Sequence, residues 1–127
     1  MESILLVEDE DNIGSLLKEE LEIHGYRIIW VKNGVDAVLA AMDNKFDILI
    51  VDMIIPDLSG INTIRIISKI APGIAVIACS GMMEKNIMID SVAAGASVCV
   101  NKPFTISQML SHIRWAVKHK KGQEGEL

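Results

Sequence analysis

Apolar residues fall along this chain in short blocks that alternate between two periods. Ser3–Val7 (SILLV), Arg27–Val31, Ile48–Val51, Ile74–Cys79 and Ser97–Val100 are compact aliphatic runs, the kind that fill strands covered on both faces. Between them the apolar residues recur at helical spacing. Ile13, Leu16, Leu17 and Leu21 precede a stop at Gly25, and Val35, Val38, Leu39 and Met42 follow a capping residue, Asn33. A third helix is predicted near Ile61–Ile70, ended by Pro72-Gly73, and a fourth over Glu84–Ala94 with Gly95 behind it. Ile106–Lys118 carries the cleanest stripe: Ile106, Met109, Leu110, Ile113 and Val117. Strand and helix alternate five times with short connections, which predicts an α/β fold with right-handed crossovers and one doubly wound parallel sheet, helices on both faces. Residues 1–121 form the expected domain, and 122–127 (GQEGEL) a polar, frayed tail.

Composition narrows the classes. At 127 residues, half of them hydrophobic but only 4% aromatic, the chain has one domain's worth of core, and that core is aliphatic. A net charge of -5 argues against direct nucleic-acid binding, which needs a basic face. No apolar run approaches the length of a membrane span, and Ile4–Val7 is too short for a secretory h-region. Cys79 and Cys99 lie inside apolar strand segments; a disulfide is possible in principle, but with no export signal in view free buried thiols in a cytoplasmic protein are the expectation.

The chemistry gathers at strand ends. In Phe46–Gly60 (FDILIVDMIIPDLSG) a buried run stops at one carboxylate, Asp52, before Pro56 and Gly60 break the regularity. Just past the other strong strands stand Glu8 and Asp9, Ser80, and Lys102. Open α/β sheets place ligand sites at the carboxyl ends of their strands, so these residues are expected to share a cleft. Three carboxylates brought together repel one another unless a cation is present, and oxygen-only donors suit a hard divalent ion, Mg²⁺. A hydroxyl, an ammonium and a metal around one carboxylate fit an acquired phosphoryl group, with Asp52 as the nucleophile. Each signal has a bland reading beside it. The acids favour a helix N-terminus, which is the whole role read for Glu10 and Asp11. Lys102 alone suits a solvated loop, and Ser80-Gly81 alone suits a turn. Their order on successive strands outweighs those readings.

With these motifs in view (ILLVEDE, VDMIIPDLSG, ACSG and VNKPF) the chain resembles the receiver domain of two-component response regulators over nearly its whole length. The resemblance implies the flavodoxin-like strand order 2-1-3-4-5. It implies Asp52 as phosphoacceptor, Ser80 as the hydroxyl that contacts the phosphoryl group, and Lys102 as its cationic partner. Mg²⁺ would be held by Glu8, Asp9, Asp52 and the backbone carbonyl of Ile54. The implied phosphodonor is a sensor histidine kinase or phosphotransfer protein, and the implied output face is helix 4, strand 5 and helix 5, toward a downstream domain or protein. Such a protein is not an enzyme in the turnover sense; it catalyses only its own phosphorylation and dephosphorylation.

Departures from the family pattern qualify this reading. Cys99 occupies the position of the usual switching aromatic, and the paired acids found after Gly-Ala in many winged-helix regulators are absent. Ile54 and Met82, where other members place polar groups, are expected to hinder hydrolytic water and prolong the phosphorylated state. The competing readings are a pseudo-receiver that only binds partners, supported by Cys99, and a metal-dependent phosphohydrolase, which would want an acid where Ile54 stands. Glu8-Asp9-Glu10 in place of a glycine-rich turn argues against a dinucleotide-binding domain. Trp115 lies off the apolar stripe near His112 and His119 and is a candidate interface anchor, whereas Trp30 reads as packing. His24, His112 and His119 have no metal-ligand spacing.

Overall fold

The computed structural model describes residues 1–119. Ten elements alternate: β1 (Ser3–Val7), α1 (Asp11–Ile23), β2 (Arg27–Val31), α2 (Gly34–Asp43), β3 (Ile48–Asp52), α3 (Gly60–Ile70), β4 (Ala75–Ser80), α4 (Lys85–Ala94), β5 (Val98–Asn101) and α5 (Ile106–Lys118). All strand pairs are parallel, and the order is β2-β1-β3-β4-β5, the expected doubly wound arrangement.

Period-two alternation divides the aliphatic runs between two layers. Ile4, Leu6, Ile48, Ile50 and Ile77 meet Leu17 and Leu21 of α1 and Met109 and Ile113 of α5. Leu5, Val7, Leu49, Val51 and Val76 meet Ala37 and Ala41 of α2, Ile64 and Ile67 of α3 and Ala94 of α4. Side-chain caps start three helices. Asn33 accepts from Asp36 N–H, Ser59 accepts from Asn62 N–H, and Thr105 with Gln108 completes a capping box on α5.

Two helical stripes differ from the sequence reading. On α2 the buried residues are Gly34, Ala37 and Ala41, while Val35, Leu39 and Met42 face solvent and Val38 is half-buried. Small residues let α2 lie close to the sheet and to α3; a Cβ on Gly34 would overlap Leu58 and Thr63. On α1, Leu16 is exposed, and Gly14 joins Leu17 and Leu21 in the buried set. β4 and β5 each end one residue later than expected, so Ser80 closes β4 instead of following it.

The cysteines are free, Cys79 buried and Cys99 half-buried. Cys79 belongs to the α1/α5 layer and Cys99 packs against the other, so the sheet separates them. Trp115 is exposed as expected and stacks on the His119 ring, centroids 4.1 Å apart. Among the described residues no helix is long and apolar enough to cross a membrane. The domain limit at 121 and the tail 122–127 lie outside the described residues.

Candidate functional site

Register places the site. Asp52 ends β3 opposite Cys79, and Ser80 ends β4 opposite Asn101, so the last side chains of β3, β4 and β5 reach one edge of the sheet. Lys102 follows β5 directly, with its N–H donating to Ser80 O at 2.9 Å and a cis bond to Pro103. Its ammonium donates to Asp52 Oδ2 at 2.8 Å and to Glu8 Oε1 at 2.9 Å. Glu8 Oε2 accepts from Glu10 N–H at 3.3 Å, and Asp52 Oδ1 accepts from Ile54 N–H at 3.0 Å.

Carboxylate oxygens of Glu8, Asp9 and Asp52 lie within 4.8 Å of one another, Glu8 buried, Asp52 half-buried and Asp9 exposed. Three carboxylates against the single Lys102 ammonium leave a formal charge of minus two. Burial pushes the Glu8 carboxyl above its usual range, and the Lys102 hydrogen bond only partly offsets this. Burial alone would lower the Lys102 ammonium, but hydrogen bonds to Asp52 and Glu8 outweigh it and hold the pKa above the ordinary value. A cluster of hard oxygens with uncompensated charge fits a divalent cation such as Mg²⁺.

The sequence-predicted residues therefore converge in part by direct contact and in part by placement. Glu8, Asp52 and Lys102 are joined by hydrogen bonds, and Asp9 completes the acid cluster. Ser80 is buried beside them at the end of the adjacent strand, and its hydroxyl accepts from Met82 N–H at 3.1 Å. Ile54 touches the site through its N–H, while its side chain is 76% exposed at the mouth. Glu10 and Asp11, read as helix-terminus acids, sit at the N-cap and in the first turn of α1, and Asp11 pairs with Lys32.

Two supporting residues escaped the sequence reading. Asp57 adopts φ of 63°, and its Oδ1 accepts from the N–H groups of Gly34 and Val35 at 3.1 and 3.3 Å. It thereby ties the β3–α3 loop to the start of α2; the Pro56-Asp57 pair was the available turn signal. Asn101 Oδ1 accepts from Met83 N–H at 3.1 Å and anchors the β4–α4 loop to β5. Beside the acids lies a cleft of about 890 Å³, whose apolar wall includes Ile13, Leu16, Phe104 and Ile106.

Comparisons with known proteins identify the family and match the fold. Residues 4–114 match the family model for the response regulator receiver domain. The uncharacterised transcriptional regulatory protein YkoG of Bacillus subtilis (strain 168) is 33% identical over 118 residues, 91% of this chain and 50% of the relative. The chemotaxis protein CheY of Thermotoga maritima is 32% identical over 108 residues, 84% of this chain and 90% of that protein. The chain thus spans about half the length of the transcriptional regulators it matches. A CheY-like receiver domain from Methanospirillum hungatei JF-1 superimposes with a TM-score of 0.91 at 24% identity, covering 100% of this chain and 99% of that one. The receiver domain of the sensor histidine kinase PA1611 from Pseudomonas aeruginosa PAO1, with a magnesium ion coordinated in its active-site cleft, superimposes with a TM-score of 0.84 at 24% identity, covering 92% and 98%. With its acidic cluster at the strand ends of a β2-β1-β3-β4-β5 sheet, this chain belongs to the response regulator receiver domain family.

Proposed function

We propose that the chain is a phosphorylation-controlled signalling switch that accepts a phosphoryl group on Asp52 in a Mg²⁺-dependent reaction. The observation that carries this reading is the Asp52 carboxylate at the end of β3, bonded to the Lys102 ammonium at 2.8 Å within a cluster of three acids. Asp52 supplies the nucleophilic oxygen. Its attack on phosphorus forms a P–O bond while the P–N bond of a phosphohistidine donor breaks, the electron pair passing to the imidazole nitrogen. Glu8, Asp9, Asp52 and the Ile54 carbonyl would hold Mg²⁺, and a bound Mg²⁺ would supply positive charge to the phosphoryl group. Lys102 supplies a second positive charge by exchanging its carboxylate partners for a phosphoryl oxygen. The Ser80 hydroxyl, at the end of the neighbouring strand, can donate to another of those oxygens once it turns from Met82.

The phosphodonor in this reading is a sensor histidine kinase or phosphotransfer protein that reaches Asp52 through the cleft bounded by Ile13, Leu16, Phe104 and Ile106. The output leaves through α4, β5 and α5, where Ile89, Val92 and Trp115 are exposed. Turnover of an external substrate is not part of the proposal. The test is intact mass after incubation with acetyl phosphate, for wild type and Asp52→Asn, each with Mg²⁺ or with chelator. One added phosphoryl group that needs both Asp52 and Mg²⁺ is expected. A fully folded protein that gains none, even with rapid acid quenching, would instead be a pseudo-receiver that signals by binding alone.

A further inference from the structure

Glu8 stands one residue beyond the last β1–β2 pair, Val7 with Val31, and its backbone is held by β2 on both sides. Its N–H donates to Val31 O at 3.0 Å, and its carbonyl accepts from the indole Nε1–H of Trp30 at 2.8 Å. The residue is 3% exposed, so its carbonyl needs a partner within the protein, and the indole provides one. α1 is shaped to admit the ring: a Cβ on Gly14 would overlap the indole at Cε2 and Cζ2. Lys32, whose ammonium lies 5.6 Å from the Trp30 centroid, pairs with Asp11 and adds a further tie between the end of β2 and the start of α1.

The Glu8 carbonyl belongs to the peptide plane that carries the Asp9 N–H. Fixing that carbonyl fixes where Asp9 leaves the backbone, and Asp9 is the exposed member of the acid cluster. We propose that Trp30 is a positioning residue for the metal site: its indole N–H orients the Glu8–Asp9 peptide so that both carboxylates converge with Asp52 on a divalent cation. The proposal rests on the Mg²⁺ reading of the site. It also makes Trp30 a reporter, because a cation drawing on Glu8 and Asp9 alters the field at the hydrogen-bonded indole.

The experiment titrates Mg²⁺ into the whole chain by calorimetry and by tryptophan emission. The chain has two tryptophans, so Trp115→Phe leaves Trp30 as the sole tryptophan, with its contacts untouched. Trp115→Phe is expected to keep the wild-type Kd and to show a saturable emission change on Mg²⁺. Trp30→Phe keeps a ring in place but removes the N–H, and its Kd is expected to rise roughly three- to tenfold. Gly14→Ala, which displaces the indole from the other side, is expected to weaken Mg²⁺ as well. Wild-type binding with a Trp30→Phe Kd within twofold of it, or no emission change in Trp115→Phe, overturns the positioning role alone. No Mg²⁺ binding by the wild type overturns the reading of the site itself.

Discussion

Two neighbouring side chains on the same face of the sheet show how much the distance from a strand's end decides. Asp52 and Cys79 are partners in the β3–β4 register, yet Asp52 reaches the site and Cys79 is sealed in the α1/α5 layer. Burial pushes the Cys79 thiol up to about 12 from an ordinary value of 9.0. The folded protein therefore keeps a proton that the unfolded chain releases. This contribution is fully present below pH 9 and is lost as pH rises toward 12, at a limit of about 1.4 kcal/mol per pH unit. Urea unfolding at pH 8, 9.5 and 11 should show wild-type stability falling. Cys79→Ala should be less stable at pH 8 but fall less steeply. Lys102, whose ammonium is stabilised by Asp52 and Glu8, contributes a loss at still higher pH to both proteins, so the difference in slope isolates the thiol. Parallel slopes would mean that the thiol titrates alike in both states.

Elements differ in how openly they declare their packing face. The strands were legible because each aliphatic run had to be covered on both sides, and α5 because its large residues face the core: Met109, Leu110 and Ile113 are buried as its spacing indicated. α2 hid its face, since contact with the sheet and α3 is made by Gly34, Ala37 and Ala41, and hydrophobic periodicity weighs large residues over small ones. Its N-terminus was legible at the Asn33 cap but not beyond it, because a second acceptor comes from Asp57, 23 residues away. That carboxylate accepts two N–H groups of α2 and, from its left-handed backbone, the N–H of Leu58. Asp57→Gly should lose only the tether, about 1 kcal/mol by comparison with helix caps, while relaxing the backbone. Asp57→Ala should cost about 1 kcal/mol more, since it loses the tether and keeps a Cβ at positive φ. Chemical denaturation of the two variants separates these effects; equal stability would show that φ at this position carries no strain.

At the scale of the whole molecule, the parallel topology turns residues up to 94 positions apart into one site, which is why Glu8, Asp9, Asp52, Ser80 and Lys102 were legible together although each was weak alone. What stayed hidden acts through backbone groups: Trp30 on the Glu8 carbonyl, Asn101 on Met83 N–H, Asp57 on α2. Unlike helix caps, hydrogen bonds to the main chain of a distant segment leave no residue pattern, because any partner has the same carbonyl and N–H. The same topology sets what stands at the mouth of the site. Ile54, at the top of the β3–α3 loop, is 76% exposed, and Met82, after β4, is 66% exposed. Their N–H groups face inward, to Asp52 Oδ1 and Ser80 Oγ, and the side chains they present to arriving water are apolar. Hydrolysis of an acyl phosphate on Asp52 requires water oxygen to approach phosphorus as the P–O bond to Asp52 breaks, and no polar side chain at these two positions can orient or deprotonate it. The phosphorylated state should therefore persist, and the double variant Ile54→Asn/Met82→Gln should lose its phosphoryl group roughly tenfold faster, about 1.4 kcal/mol off the barrier. Following loss of the adduct by intact mass after removing acetyl phosphate gives the rate directly. Because both backbone N–H groups survive in the variant, phosphorylation itself should remain; a decay rate equal to or slower than wild type would assign the lifetime to groups deeper than the mouth.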